Sequence, residues 1–217
     1  MGDINLVVVG SESVGKSALT VRFLTRRYIG EYQSDTDIVY RHQTMIDGEQ
    51  TNIEILDVST GKGGDSLLTD KQIRWADGFV IVYSICDRGS FNRLRDLIRD
   101  IRDIRASENN HHHGHRDQYN HYSMVIIGNK SDLEHRRTVS TEEGKALAAT
   151  LECPFAEVSA ADSYHDVAKP VQGLLRTVHD TKVMLKKRRN SQKFVNVAKA
   201  LTGMFGGRKT TRKRRSL

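Results

Sequence analysis

The sequence predicts an α/β fold, a mostly parallel sheet covered by helices, and three observations predict it. Continuous apolar runs bounded by loops mark strands buried on both faces: Leu6–Val9, Phe79–Tyr83 and Met124–Ile127. Helical stretches alternate with these runs, the order expected of a layered sheet. Between the first run and the first helical stretch lies Gly10-Ser11-Glu12-Ser13-Val14-Gly15-Lys16-Ser17. A strand, this glycine spacing and a helix together make a phosphate-binding loop, or P-loop.

In chain order, the helical stretch Lys16–Leu24 follows the loop. Tyr40–Ile46 and Asn52–Leu56 are shorter strand candidates, and the tight Asp47-Gly48 turn between them predicts an antiparallel pair. After Phe79–Tyr83, Ser90–Ile104 places Phe91, Leu94, Leu97, Ile98, Ile101 and Ile104 on one helical face. Met124–Ile127 is followed by Ser140-Thr141-Glu142-Glu143, a capping box that opens a helix through Leu151. Pro154–Val158 is a sixth strand candidate. A last helix carries Val167, Val171, Leu174, Leu175 and Val178, with Asp166 expected as N-cap so that Pro170 falls in or just past the first turn.

Composition sets the limits. The 217 residues suit one domain with an appendage, here expected as 1–181 and a tail, 182–217. Two cysteines are too few for a disulfide framework and fit a reducing compartment. No apolar run is long enough to span a bilayer, so a soluble, unprocessed protein is expected; a cytoplasmic location and a monomer are further expectations. The C-terminal RKRRSL has no cysteine to prenylate, which leaves peripheral membrane attachment without prenylation or a nuclear location as further expectations. The net charge of +7 is divided unevenly. Residues 182–217 carry 13 Lys/Arg and no Asp/Glu, and the remainder carries 21 basic against 27 acidic residues.

In α/β sheets ligands sit at the carboxyl ends of the strands, where the informative loops fall. In the P-loop, the backbone of 10–18 (Gly10, Ser11, Glu12, Ser13, Val14, Gly15, Lys16, Ser17, Ala18) would surround phosphates. Lys16 would neutralise the outer ones and is the expected catalytic residue, and the Ser17 hydroxyl would ligate Mg²⁺. Asn129-Lys130-Ser131-Asp132 follows a strand. A carboxylate at Asp132 can accept both the ring N–H and the exocyclic amino group of guanine. Adenine offers neither, which would cost about 1–3 kcal/mol or more. Asn129 can serve the other edge of the base, with the Lys130 stem along the ring. Asp57 ends a strand and can hold Mg²⁺. Ser159-Ala160-Ala161 follows the sixth strand, where backbone N–H groups can meet the base.

With these motifs in this order, residues 3 to 180 resemble the Ras-type small GTPases. The stretches RFLTRRYIGEY, RWADGFVIVYSICDRGSF and GNKSDLEHRRTVSTEEG are most similar to the divergent branch that includes RERG. The resemblance implies a six-stranded sheet with five helices, GTP/GDP and Mg²⁺ as cofactors, and two mobile switch segments. It also implies effector binding through residues 35–40, an exchange factor and a GTPase-activating partner. Tyr28 matches the family's aromatic residue at the guanine edge.

The departures fall where turnover is decided. At the usual place of the first switch's Mg²⁺-ligating threonine stands Asp35, with Thr36 next. Either the loop shifts so that Thr36 reaches the metal, or Asp35 contacts it, or the contact is lost; Thr36 is the preferred ligand. The second switch reads Asp57-Val-Ser-Thr-Gly61-Lys62-Gly63-Gly64. Gly61 can supply the N–H for the γ-phosphate, but the glutamine that orients water is missing on either alignment, which implies slow intrinsic hydrolysis. Glu12 replaces a small residue, and it either faces the γ-phosphate, adding repulsion, or turns to water. The expectation is a signalling switch with weak hydrolysis. The alternative is a non-hydrolysing, nucleotide-bound scaffold acting through its basic tail.

Residues 107–121 (SENNHHHGHRDQYNH) hold five histidines, but their crowding favours a solvated insert over a zinc site. In the tail, Phe194, Val197, Ala198, Leu201, Met204 and Phe205 recur at helical spacing between the clusters 186–189 and 208–215. That pattern fits an anionic membrane surface, nucleic-acid phosphates or nuclear import, and then calmodulin.

Overall fold

The computed structural model describes residues 3–29, 36–59, 67–109 and 123–205, the last with side chains only as far as 191, save that of 189. Asp35, Gly61, Lys62, nearly all of the histidine-rich insert and the last basic cluster lie outside the described residues. The chain divides into two compact units, one ending at His179 and the other beginning at Asp180.

The first unit holds strands β1 (Ile4–Gly10), β2 (Ile38–Ile46), β3 (Glu49–Asp57), β4 (Gly78–Ser84), β5 (Ser123–Asn129) and β6 (Phe155–Glu157). They form one sheet in the order β2-β3-β1-β4-β5-β6. β2 pairs antiparallel with β3 through the Asp47-Gly48 turn, where φ is positive at both residues. Every other neighbouring pair is parallel. The strand order reverses about β1, which places the P-loop at the switch point of the sheet, where a ligand crevice opens.

The helices are α1 (Lys16–Thr25), α2 (Asp70–Trp75), α3 (Arg88–Asn92), α4 (Leu94–Asn109), α5 (Thr141–Thr150) and α6 (Tyr164–Phe205), with a 3₁₀ turn at Ser131–Arg136. Alternate side chains of the strands feed two cores. Leu6 and Val8 pack with Leu19 and Phe23 of α1 and with Val167, Leu174 and Val178 of α6. Val7 and Val9 pack with Ile73 of α2, Ile98 and Ile101 of α4 and Leu147 of α5.

Three expectations need correction. The resemblance implies five helices, and six α-helices occur among the described residues. The stretch expected as one helix, Ser90–Ile104, starts earlier and breaks at Arg93. Asp87 caps α3 by accepting from the Gly89 N–H, and the buried Ser90 Oγ accepts from the Ser84 N–H while donating to the Asp87 carbonyl. Those bonds tie the short first helix to the end of β4, and α4 follows from Leu94. Finally, the last helix begins at Tyr164, because Ser163 rather than Asp166 takes the capping role: its Oγ accepts from the Asp166 N–H at 3.3 Å. Pro170 therefore sits inside the helix, where it deprives only the Asp166 carbonyl, on an exposed turn, of its donor.

Candidate functional site: a nucleotide cleft at the end of β1

Gly10 must be glycine because β1 and β4 run so close that a Cβ would stand 2.0 Å from the Val82 carbonyl oxygen. Gly15 is the N-cap of α1 at φ 96°, and no side chain caps this end. The first N–H groups of the helix thus face the crevice with the positive end of the helix dipole, which suits an anion.

Lys16 is 8 % exposed, and its Nζ donates to the Gly10 carbonyl at 3.1 Å and the Ser11 carbonyl at 2.9 Å. The side chain is folded back over its own loop, with the amino group at the loop's centre. Burial pushes its pKa below the ordinary lysine value, while the Asp57 and Glu12 carboxylates push it back up. Glu12 is exposed, yet its charge still reaches Lys16. It therefore bears on the phosphate site even though it turns toward solvent.

Asp57 is 4 % exposed, and Oδ1 has no hydrogen-bond partner. Burial raises its pKa, the Ser17 hydrogen bond and the Lys16 charge lower it, and the Asp37 charge raises it again. A buried carboxylate oxygen without a donor, beside a hydroxyl, is a poor arrangement for a protein alone and a good one for a hard cation. The residues Ser17 and Asp57 therefore fit Mg²⁺. Thr36 is exposed at the start of its segment.

The base-side loop is locked to the P-loop across a long stretch of chain. Asn129, 2 % exposed, donates from Nδ2 to the Val14 carbonyl at 2.8 Å and accepts at Oδ1 from the Ala160 N–H at 3.2 Å. A Cβ on Gly15 would lie 2.3 Å from Asn129 Nδ2, a second reason for that glycine. Lys130, in the left-handed region at φ 68°, donates from Nζ to the Ser13 carbonyl at 2.7 Å. Ser159 Oγ accepts from the Ala161 and Asp162 N–H groups, which folds that loop onto itself. Asp132 follows on the same loop as Lys130 and is exposed, as is Tyr28.

Thus the structure brings Gly10–Ser17, Asp57, Asn129–Lys130 and Ser159–Ala160 together through direct contacts. It also brings in residues that the sequence did not single out. Asp37 accepts from the Ser59 N–H at 2.9 Å and from Gln72 Nε2 at 2.6 Å, tying the strand leading from the first switch to the segment after Asp57. Arg137 donates to both oxygens of Glu157 and to Glu134, and so holds the 3₁₀ turn that carries Asp132. Neither had a motif to reveal it; for Asp37 the one available signal was an acid immediately after the expected metal ligand, Thr36.

A model of the Ras family matches residues 5–180. The chain belongs to the Ras family. The human "Ras-related and estrogen-regulated growth inhibitor" is 37 % identical over 203 residues, covering 94 % of this chain and 95 % of that one. A Bos taurus "Ras-related and estrogen-regulated growth inhibitor-like protein" is 38 % identical over 209 residues, with 96 % and 98 % covered. "Ras-like protein family member 11A" of Rattus norvegicus is 38 % identical over 184 residues, with 81 % and 70 % covered. As a Ras-family member the protein is a small GTPase, a guanine-nucleotide-binding signalling switch, and proteins of this family work with effectors, exchange factors and activating partners. Among the described residues no helix is long and apolar enough to cross a membrane.

Proposed function

We propose that this Ras-family protein is a switch that holds GTP and GDP firmly and cleaves GTP slowly. The phosphates lie in the 10–18 loop against Lys16. Asn129 and Asp132 read guanine, the Lys130 stem flanks the ring, Tyr28 covers its edge, and Ser159–Ala161 close the far side. Ser17 and Asp57, with Thr36 from the first switch, hold Mg²⁺, which neutralises phosphate charge when bound. Residues 35–40 carry the effector surface, and the 182–217 tail locates the protein by binding an anionic surface.

Hydrolysis requires water to attack the γ-phosphorus while its bond to the bridging oxygen of GDP breaks, with the water's proton passing to the released phosphate. Lys16 spreads the charge that moves onto the bridging and γ oxygens. What this chain supplies poorly is water orientation. The one observation that carries the slow-hydrolysis reading is Gln72. It is the only glutamine between Asp57 and Trp75. Both ends of its side chain are engaged: Oε1 accepts from the Thr69 N–H at 2.7 Å and Nε2 donates to Asp37. The segment has no other Asn or Gln side chain to position water. Glu12 adds a negative charge near Lys16 that opposes charge build-up on the γ-phosphate.

The test is single-turnover hydrolysis on protein loaded with γ-labelled GTP, following phosphate release and nucleotide loss together. Retained, uncut GTP is the expected result. Ordinary Ras-like release of phosphate would overturn the slow-hydrolysis reading. Retained GTP with partners that bind regardless of nucleotide would replace the switch by a scaffold.

A further inference from the structure

The second unit begins at Asp180, and its backbone remains α-helical to Phe205. At 3.6 residues per turn, positions 194, 197, 198, 201, 204 and 205 fall within an arc of about 120° on that helix. They are Phe, Val, Ala, Leu, Met and Phe. Lys193 falls just outside one edge of the arc, and Asn196, Lys199 and Gly203 occupy the opposite side. In the described part of this unit Met184 is 61 % exposed, among the exposed Lys186, Lys187 and Arg188. From 182 onward the sequence holds 13 Lys/Arg and no Asp/Glu.

We propose that the helix 190–205 is a binding element for anionic lipid, lying in the plane of a membrane surface with the Phe194–Phe205 arc sunk among the acyl chains. This deepens the anionic-surface reading of the tail. The pattern favours lipid over the alternatives on two grounds. Nucleic-acid phosphates would use the positive charge but give no reason for an arc of Phe, Leu and Met. Lys193 at the border of the arc and Lys199 on the polar side opposite it suit a helix lying in an interface, with apolar surface on one side and cationic groups toward headgroups on the other. The basic clusters at 186–189 and 208–215 flank the arc, adding attraction that vanishes on a neutral bilayer.

The experiment is flotation of the full chain with vesicles of phosphatidylcholine alone or with added phosphatidylserine, with fluorescent GDP binding measured on the same samples. Two order-swapped variants, Asn196→Val/Val197→Asn and Leu201→Thr/Thr202→Leu, are combined in one chain. They keep composition and net charge while moving Val197 and Leu201 off the arc. The wild type should float with the phosphatidylserine vesicles and not with phosphatidylcholine alone, and the swapped chain should partition on the order of tenfold less. Equal partitioning of the swapped chain would overturn the proposal in favour of charge alone. Failure of the wild type to float, with binding to an oligonucleotide or to calmodulin instead, would overturn it in favour of those partners. Loss of GDP binding with flotation intact would count against the nucleotide reading and leave the lipid helix standing.

Discussion

At the base end of the cleft, Asn129 and Lys130 reach across 115 and 117 residues of sequence to the Val14 and Ser13 carbonyls, and Arg137 and Glu157 brace the turn behind them. At the γ-phosphate end, one buried amino group is approached by the carboxylates Asp57 and Glu12, and Asp37 adds its charge to Asp57. The first region is a closed network of neutral and charge-assisted hydrogen bonds. The second is a collection of negative charges with a buried oxygen left over. On the proposed reading, the braced network recognises the base and the cluster of charges governs cleavage, while the buried Lys16 serves both holding and cutting.

Perturbing each end separately should break this comparison if it is wrong. The largest effect is expected from Lys16→Ala, which removes the buried cation: nucleotide affinity should fall by about 4 kcal/mol or more, on the order of a thousandfold, in an equilibrium binding assay. Asp132→Ala should cost GDP about 3 kcal/mol, roughly a hundredfold, while leaving the already weak affinity for ADP nearly unchanged. If both nucleotides weaken equally, Asp132 is not the base reader.

At the other end, Asp57→Asn should remove the dependence of nucleotide retention on Mg²⁺, so that chelation no longer speeds release of bound GDP. A wild-type-like response to chelator would place the metal elsewhere.

Smaller changes sharpen the contrast. Arg137→Ala leaves the half-buried Glu157 without its main partner, at a cost of about 1–2 kcal/mol. At about 2–4 °C per kcal/mol for a chain of this size, the melting temperature should drop by several degrees, and GDP affinity should fall with little change in the hydrolysis step. Asp37→Ala should raise amide exchange over Leu67–Trp75 and leave Ser123–Asn129 as protected as before.

The smallest effect concerns pH. Glu143 is held down to about 2 by its ion pair with Arg88 and its bonds to Ser140. A carboxylate with a lowered folded pKa contributes stability above its ordinary value of 4.5 that is lost as pH falls toward 2. The acid limb of the stability curve should therefore be slightly shallower for Glu143→Gln over that window.

The sequence by itself determined the sheet, the order of its loops and the class of ligand. Runs such as Phe79–Tyr83 and Met124–Ile127 can be buried only as central strands, and the Gly10–Ser17 spacing presents backbone N–H groups in one geometry. Local signals also sufficed where the physics is local, as at the Asp47-Gly48 turn and at the Ser140/Glu143 capping box, where both reciprocal bonds are present. The tertiary structure alone decided the rest. Asp37 meets Gln72 across 35 residues and Arg137 meets Glu157 across 20, and no periodicity encodes such pairings. The break at Arg93 and the capping by Ser163 went to whichever side chain the packed neighbours brought within reach. The leftover oxygen on Asp57 is likewise a tertiary fact. A sequence can name a carboxylate, but only the fold withdraws its water and its donors and so turns it toward a cation.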